Sequence, residues 1–455
     1  MKLTIIGGAG VRTPTMISDL IRRHREIPID TLSIHDVSEE RIEVIGSIVR
    51  HLVRERGEPF RVEFTTDLVQ AVSGSDFIYT AIRVGGEQGR AIDERVALSH
   101  GVLGQETTGP GGFAMALRTI PVMLEYARVI ERHAPNAWVV NFTNPAGLIT
   151  EALTKHTKLK MIGICDAPSA MRLDVAKFLQ VPADAIHIDY SGLNHLGWVS
   201  RVMVNGEDRL PEIVANYERF AQVCPHMTCF SPLLIRQLGL LPNEYLYYYY
   251  YREQAVQHIL GSKQTRGEQI LRINTDLMSR LQSSLKQGGI EEAIGLYTAA
   301  MTERQNSYMS TETGSKPQEK EPSAQDMFEN EGYAGLAMSI MSAIHNNRKT
   351  NLILNVRNQG IVGFLQDDDV VEVPCLLDGN GPVPLAVGPL PDHAVGLVQT
   401  VKLYERYAVR AAVSGSYDDA LTALTIHPLV CSHTLAKRIL DDYLEQHKPY
   451  LPQFR

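Results

Sequence analysis

The chain begins Met1-Lys2-Leu3-Thr4-Ile5-Ile6 and runs directly into Gly7-Gly8-Ala9-Gly10. A short apolar strand that breaks at once into a glycine turn commits the chain to a strand–turn–helix unit. The helix follows as Pro14-Thr15-Met16-Ile17-Ser18-Asp19-Leu20, amphipathic in pattern. Four more short strands recur between helical stretches: Thr31 to Asp36, Phe77 to Ala81, Trp138 to Phe142 and Lys160 to Ile164. Strands alternating with helices pair in parallel, with helices on both faces of the sheet. The expected class is α/β, with an N-terminal Rossmann-type doubly wound parallel sheet over residues 1–170.

Beyond about residue 170 the rhythm changes. Longer helical patterns (Asn274 to Leu285, Glu291 to Thr302) precede a polar stretch, Ser310 to Asp326, expected to be a mobile surface loop. Asn351 to Val356 and Val370 to Pro374 read as strands, followed by C-terminal helices. Residues 171–455 are therefore expected to form a mixed α/β domain for substrate, metal and oligomer contacts. The 455 residues suffice for two such domains.

A net charge of −8 argues against a nucleic-acid partner, which would require a basic face. No run approaches 18 apolar residues, so no membrane span is expected. The N-terminus lacks the pattern of a signal peptide. Five cysteines, odd in number and irregularly spaced, fit a reducing cytoplasm better than a disulfide framework.

The glycine turn can hold a pyrophosphate on backbone N–H groups and a helix N-terminus. Gly7, Gly8 and Gly10 are the candidates, although Thr13 stands where the fingerprint has its third glycine. Asp36, at the end of the second strand, can accept from a ribose diol and repel a 2′-phosphate, which favours NAD over NADP. Arg83, just past the third strand, joins this cofactor group. Cys165 in Gly163-Ile164-Cys165-Asp166-Ala167-Pro168 and His195 in Gly192-Leu193-Asn194-His195 offer a soft thiolate and an imidazole. That pair suits a borderline divalent metal. The bland alternative is a core cysteine and a buried, hydrogen-bonded histidine. Gly104 to Gly112 looks like backbone wrapped around a ligand, and Asn141 to Gly147 ends a strand where open sheets bind theirs.

Together with Tyr245 and the run Asp367 to Cys375, these segments resemble glycoside hydrolase family 4 over nearly the whole chain, most closely its 6-phospho-β-glucosidases. The resemblance implies a lactate/malate dehydrogenase-like architecture, a bound NAD and a divalent metal, manganese first. It also implies a small phosphorylated glycoside as substrate and a homo-oligomer, dimer or tetramer. The family's route is oxidation at C3 of the sugar, deprotonation at C2, elimination of the aglycone, water addition and re-reduction, unlike the two-carboxylate glycosidases. By motif, Cys165 and His195 would hold the metal and Tyr245 would be the C2 base. Asp166 would assist leaving-group departure, and Glu106 could take up the proton through a relay. Arg90, Asn144 and Arg266 would contact substrate, and Arg266 with the metal could lower the pKa of Tyr245.

Asp166 is the residue at which the chain resembles phospho-α members instead, so 6-phospho-α-glucosides are one alternative substrate; unphosphorylated glycosides are another, although the resemblance implies His after the metal cysteine in members that take them. A net dehydrogenase of the malate/lactate type shares the fold, but such enzymes need no metal-binding thiolate. A non-catalytic sugar or NAD sensor would be expected to have lost the base or a ligand, and none is missing.

Overall fold

The computed structural model describes residues 1–329 and 335–454. The five predicted strands form: β1 (Lys2–Ile6), β2 (Thr31–His35), β4 (Phe77–Thr80), β5 (Trp138–Asn141) and β6 (Lys160–Gly163). A sixth, β3 (Arg61–Thr65), joins them at the sheet edge. Its sequence, Arg-Val-Glu-Phe-Thr, has no continuous apolar run because no residue of it is fully buried. The order is β3-β2-β1-β4-β5-β6, with every neighbouring pair parallel. This is the doubly wound order, whose ligand crevice opens where the order reverses between β1 and β4.

The glycine turn closes against both neighbours of β1. Gly7 and Gly8 each donate an N–H to the His35 carbonyl at 2.9 Å. Gly7 sits at φ 81°, and a Cβ there would lie 2.6 Å from the Ala81 carbonyl oxygen. Helix Thr13–Arg22 then starts with proline in its first turn, where no N–H is missed.

The sheet continues across residue 170 without interruption. To β6 are added, in order, β11 (Thr350–Arg357), β12 (Val370–Asp378), β7 (Ile186–Leu193), β8 (Leu196–Val204) and β10 (Leu241–Pro242), all antiparallel to their neighbours. With the short β9 (Glu207–Asp208) and β13 (Gly381–Pro384), the described residues form one sheet of 13 strands. The β7–β8 hairpin was not expected from sequence, although both strands are apolar and largely buried. Its turn, Asn194-His195, drew notice for its chemistry instead.

The junction between the parallel and antiparallel parts is one row of residues. Gly163 pairs with Asn355, Asn355 with Glu372, and Glu372 with Gly192. Gly163 has no room for a side chain: a Cβ would lie 2.3 Å from Thr150 Oγ1 and 2.8 Å from the Asn355 Cβ. Behind the row, helix Asp392–Ser414 is pinned by buried charge. Lys402 Nζ donates to Glu151 Oε2 at 2.6 Å and to the Val370 carbonyl at 2.9 Å, and Arg406 pairs with Asp369.

The polar stretch Ser310 to Asp326 is not one surface loop. Ser310–Thr313 is a helical turn with Ser310 and Glu312 buried, and helix Ala324–Glu329 starts before the stretch ends. Residues 314–323 alone lack secondary structure and lie mostly exposed.

Gly163→Ala is expected to destabilise the fold by about 1–3 kcal/mol, the usual cost of overpacking a filled site. Equilibrium denaturant unfolding checks this; an unchanged midpoint would show that the row can widen freely.

Candidate active site

The C-terminal ends of β1, β4, β5 and β6 carry the glycine turn, Arg83, Asn144 and Cys165 to the same edge of the sheet. Asp36 lies at the turn as expected, accepting from the Ala9 N–H through Oδ2 at 3.1 Å and from the Ser38 N–H through Oδ1 at 3.2 Å. The Gly104 to Gly112 loop is bound to itself. Gln105 Oε1 accepts from the backbone N–H of Thr107 and Thr108, each at 2.7 Å.

That folded loop presents Thr107 to His195. Thr107 Oγ1 and His195 Nδ1 are 2.8 Å apart, and the same hydroxyl lies 3.2 Å from Gln105 Oε1. With the hydroxyl donating to Gln105, Nδ1 carries the ring proton and Nε2 keeps its lone pair. Burial depresses the imidazole to about 4, against the pull of Glu106, so the ring is neutral. The Tyr245 ring lies flat on it, with centroids 3.7 Å apart and planes within 5°. The opposing residues of this pair come from a hairpin turn and a short 3₁₀ segment, Glu244–Leu246, whose start is held by Asn243. Asn194, His195, Thr107 and Pro145, the residue after Asn144, line one cavity.

Cys165 precedes helix Asp166–Leu179 and is buried. Burial, Glu372 and Asp166 all push its thiol well above the ordinary range. Glu372 is the carboxylate of the junction row. It accepts from Asn355 Nδ2 at 2.8 Å, Asn194 Nδ2 at 3.2 Å and the Tyr190 hydroxyl at 3.1 Å. Burial raises Glu372 to about 7 despite these three donors. Asp166 is also raised to about 7, by burial first, with Arg12 opposing and Glu244 assisting. Its Oδ2 is sealed from solvent with no hydrogen-bond partner.

The chemistry of these groups suits a cation: the thiol and two carboxylates resist ionisation as they stand, and the imidazole is neutral with one nitrogen fixed. Among the described residues, no set of three or more histidine, cysteine or acidic side chains is gathered closely enough to hold a metal alone.

Three expected roles change on seeing the contacts. Glu106 is ion-paired to Arg83 and lies 2.9 Å from Arg90 Nη1. Burial would raise its pKa, but the two guanidinium groups hold it well below the usual carboxylate range. A carboxylate so clamped is a poor store for a proton. Arg83 is correspondingly occupied with Glu106 and does not reach the glycine turn through any described contact. Arg266 donates to Gln269 Oε1 at 2.7 Å, Ser307 Oγ at 2.6 Å and the Arg304 carbonyl at 2.6 Å. These bonds fix the segment around Ser307. Arg90 is buried between Glu106 and Glu94, with Nε donating to Glu94 Oε1 at 2.8 Å.

Sequence reading missed Thr107 as a partner of His195, and it missed Tyr308. The Tyr308 hydroxyl donates to Tyr245 at 3.2 Å and lies 2.7 Å from Glu244 Oε1. It sits 63 positions along the chain from Tyr245, so no local motif could announce it.

A profile described as family 4 glycosyl hydrolase matches residues 2–181, and one for the family's C-terminal domain matches residues 190–430. The chain belongs to glycosyl hydrolase family 4. It is 35% identical to a probable 6-phospho-beta-glucosidase of Bacillus subtilis over 100% of this chain and 98% of the relative. The solved 6-phospho-beta-glucosidase of Thermotoga maritima, which holds manganese, NAD⁺ and glucose-6-phosphate, is 28% identical with a TM-score of 0.82 over 99% of each chain. A 6-phospho-alpha-glucosidase from gut microorganisms in complex with NAD and Mn²⁺ is similar to the same degree, 28% identical with a TM-score of 0.82, covering 100% of this chain and 99% of its own.

Thr107→Val removes the group that fixes His195. Manganese affinity is expected to fall about 10- to 100-fold, the usual effect of losing an outer-shell partner of a metal-binding histidine. Titration followed by the manganese EPR signal measures this, and an unchanged affinity would detach Thr107 from the metal site.

Proposed function

We propose that this family 4 glycosidase hydrolyses 6-phospho-β-glucosides by the oxidation–elimination route, using NAD⁺ and a divalent cation, manganese first. The observation that carries the reading is Tyr245 stacked on His195 at 3.7 Å, which sets the candidate base against the candidate metal ligand. When bound, NAD⁺ supplies a reversible hydride acceptor and the cation a Lewis acid.

The turn Gly7, Gly8 and Gly10 would let the cofactor's pyrophosphate approach the backbone closely, its Gly7 and Gly8 N–H groups being held by the His35 carbonyl, and Asp36 would hold the ribose. Cys165 and His195 would hold the cation, which would supply Lewis acidity to the sugar. Tyr245 removes the C2 proton of the sugar. Asp166, whose burial favours its protonated form, is the candidate acid for the departing aglycone. Asn144 and Arg90 face the sugar, while Glu106 anchors Arg83 and Arg90 and takes no part in proton transfer. The relatives' names and bound ligands favour the phosphorylated β-glucoside, and the Asp166 carboxylate keeps the α-anomer as the second reading. We place the enzyme in the cytoplasm as a homo-oligomer, dimer or tetramer. Its five cysteines are all unpaired, as that compartment favours.

Release of nitrophenol from p-nitrophenyl β-glucoside 6-phosphate is expected to require both NAD⁺ and Mn²⁺. Release that needs neither would contradict the mechanism, and activity confined to the α-linked or unphosphorylated analogue would replace the substrate. Tyr245→Phe should reduce turnover by a factor on the order of 10²–10⁴, the usual contribution of a general base, with NAD⁺ and Mn²⁺ binding retained. Near-normal turnover of that variant would end the assignment of Tyr245.

A further inference from the structure

A tyrosine that takes a proton from C2 can return it when water adds, or exchange it with solvent in between, and Glu106 is unsuited to that exchange. On the other side of Tyr245 the chain supplies a connected path. The Tyr308 hydroxyl lies 3.2 Å from the Tyr245 hydroxyl and 2.7 Å from Glu244 Oε1. The other oxygen of Glu244 lies 3.7 Å from His226 Nδ1, and the His226 side chain is 40% exposed. The His226 ring meets the Tyr308 ring edge-on at 5.5 Å, which keeps the group together. Arg266 and Ser307 hold the backbone just before Tyr308 in place.

We propose that Tyr308, Glu244 and His226 form a proton relay that connects Tyr245 to solvent. The inference rests on the oxidation–elimination reading, in which Tyr245 is the C2 base. A single hydroxyl hydrogen cannot serve both acceptors, so the Tyr308 O–H turns between Tyr245 and Glu244. When Tyr245 gains the C2 proton, its O–H donates to the Tyr308 oxygen while the Tyr308 proton passes to Glu244 Oε1. Two O–H bonds break and two form, and the net result is one proton moved from Tyr245 to the Glu244 carboxylate. Glu244 then releases that proton through its second oxygen to His226, across a gap that one water can bridge, and His226 exchanges it with solvent. Tyr308 and Glu244 do not touch the sugar in this scheme; they act through Tyr245.

The path has a signature that a purely structural role would not produce. Water addition returns a proton to C2 from Tyr245. If the relay exchanges that proton first, the product carries solvent hydrogen at C2. If the relay is cut, Tyr245 returns the same hydrogen it removed. The test is hydrolysis of C2-protiated p-nitrophenyl β-glucoside 6-phosphate in D₂O by the holoenzyme and by Tyr308→Phe and Glu244→Gln, with C2 of the product read by NMR.

Wild type is expected to place deuterium at C2 in nearly every turnover. Both variants should retain the substrate's hydrogen in a substantial share of turnovers, with KM unchanged. Their kcat should fall by less than the roughly 10²–10⁴ attached to loss of a general base itself, because Tyr245 can still return its own hydrogen. Equal deuterium in all three proteins would overturn the relay while leaving the elimination mechanism intact. Absence of C2 deuterium in wild type, with hydrolysis proceeding, would overturn the elimination reading and the relay with it. The Glu244→Gln arm keeps the test decisive if loss of the Tyr308 hydroxyl disturbs its surroundings.

Discussion

The site depends on how one sheet is sewn together at the row Gly163–Asn355–Glu372–Gly192. Gly163 ends the last parallel strand, and Cys165 follows two residues later. Gly192 is close to the end of β7, and His195 follows three residues later. Between them lies the Glu372 carboxylate, which accepts from Asn355 within the row and from Asn194 beside His195. It also acts on the Cys165 thiol through the field of its charge. Strand spacing is fixed by backbone hydrogen bonding at about 4.8 Å, so the row behaves as a ruler for the two candidate metal ligands. Neither end of it has space for a side chain: a Cβ on Gly163 would meet Thr150 Oγ1 at 2.3 Å, and one on Gly192 the Leu196 carbonyl oxygen at 2.1 Å.

Around that ruler, charge is distributed in opposite senses on two sides. Toward Cys165, burial outweighs the pull of Arg12 and suppresses the ionisation of carboxylates and thiol. Toward Arg90, guanidinium groups surround Glu106 and keep it ionised. The first side is built to receive a cation, and the second is already neutralised within the protein. Tyr245 stands between them, stacked on a neutral imidazole, with its hydroxyl joined to Tyr308 and Glu244. The proton chemistry and the metal chemistry thus meet at one pair of stacked rings while their charges are handled by different neighbours.

The parallel half of the fold was legible because each of its strands is a short apolar run beside a turn or helix signal. The exception, Arg61–Thr65, is an edge strand with no fully buried residue and thus no such run. The antiparallel half was less legible: β11 and β12 were evident as apolar runs, but the β7–β8 hairpin lost its identity to the notable residues in its turn. The candidate site residues carried by local motifs, Cys165, Asp166, His195 and Asp36, were nameable from sequence, as was Tyr245. What could not be read was which partner each side chain chooses. Arg266 and Arg83 look like ligand-binding arginines in sequence, yet they are spent on Ser307 and Glu106, tens of residues away. Tyr308 and Thr107 were invisible for the same reason: their importance lies in contacts made across long stretches of chain.

The central proposal is that Cys165, as a thiolate, and His195 hold one divalent cation. X-ray absorption on the cobalt- or manganese-loaded protein tests it most directly, because sulfur and nitrogen scatter distinguishably. The account predicts a first shell with one sulfur and one imidazole nitrogen, completed by oxygen, with the sulfur lost in Cys165→Ser. A shell of oxygen alone, or one whose sulfur survives that substitution, would contradict it.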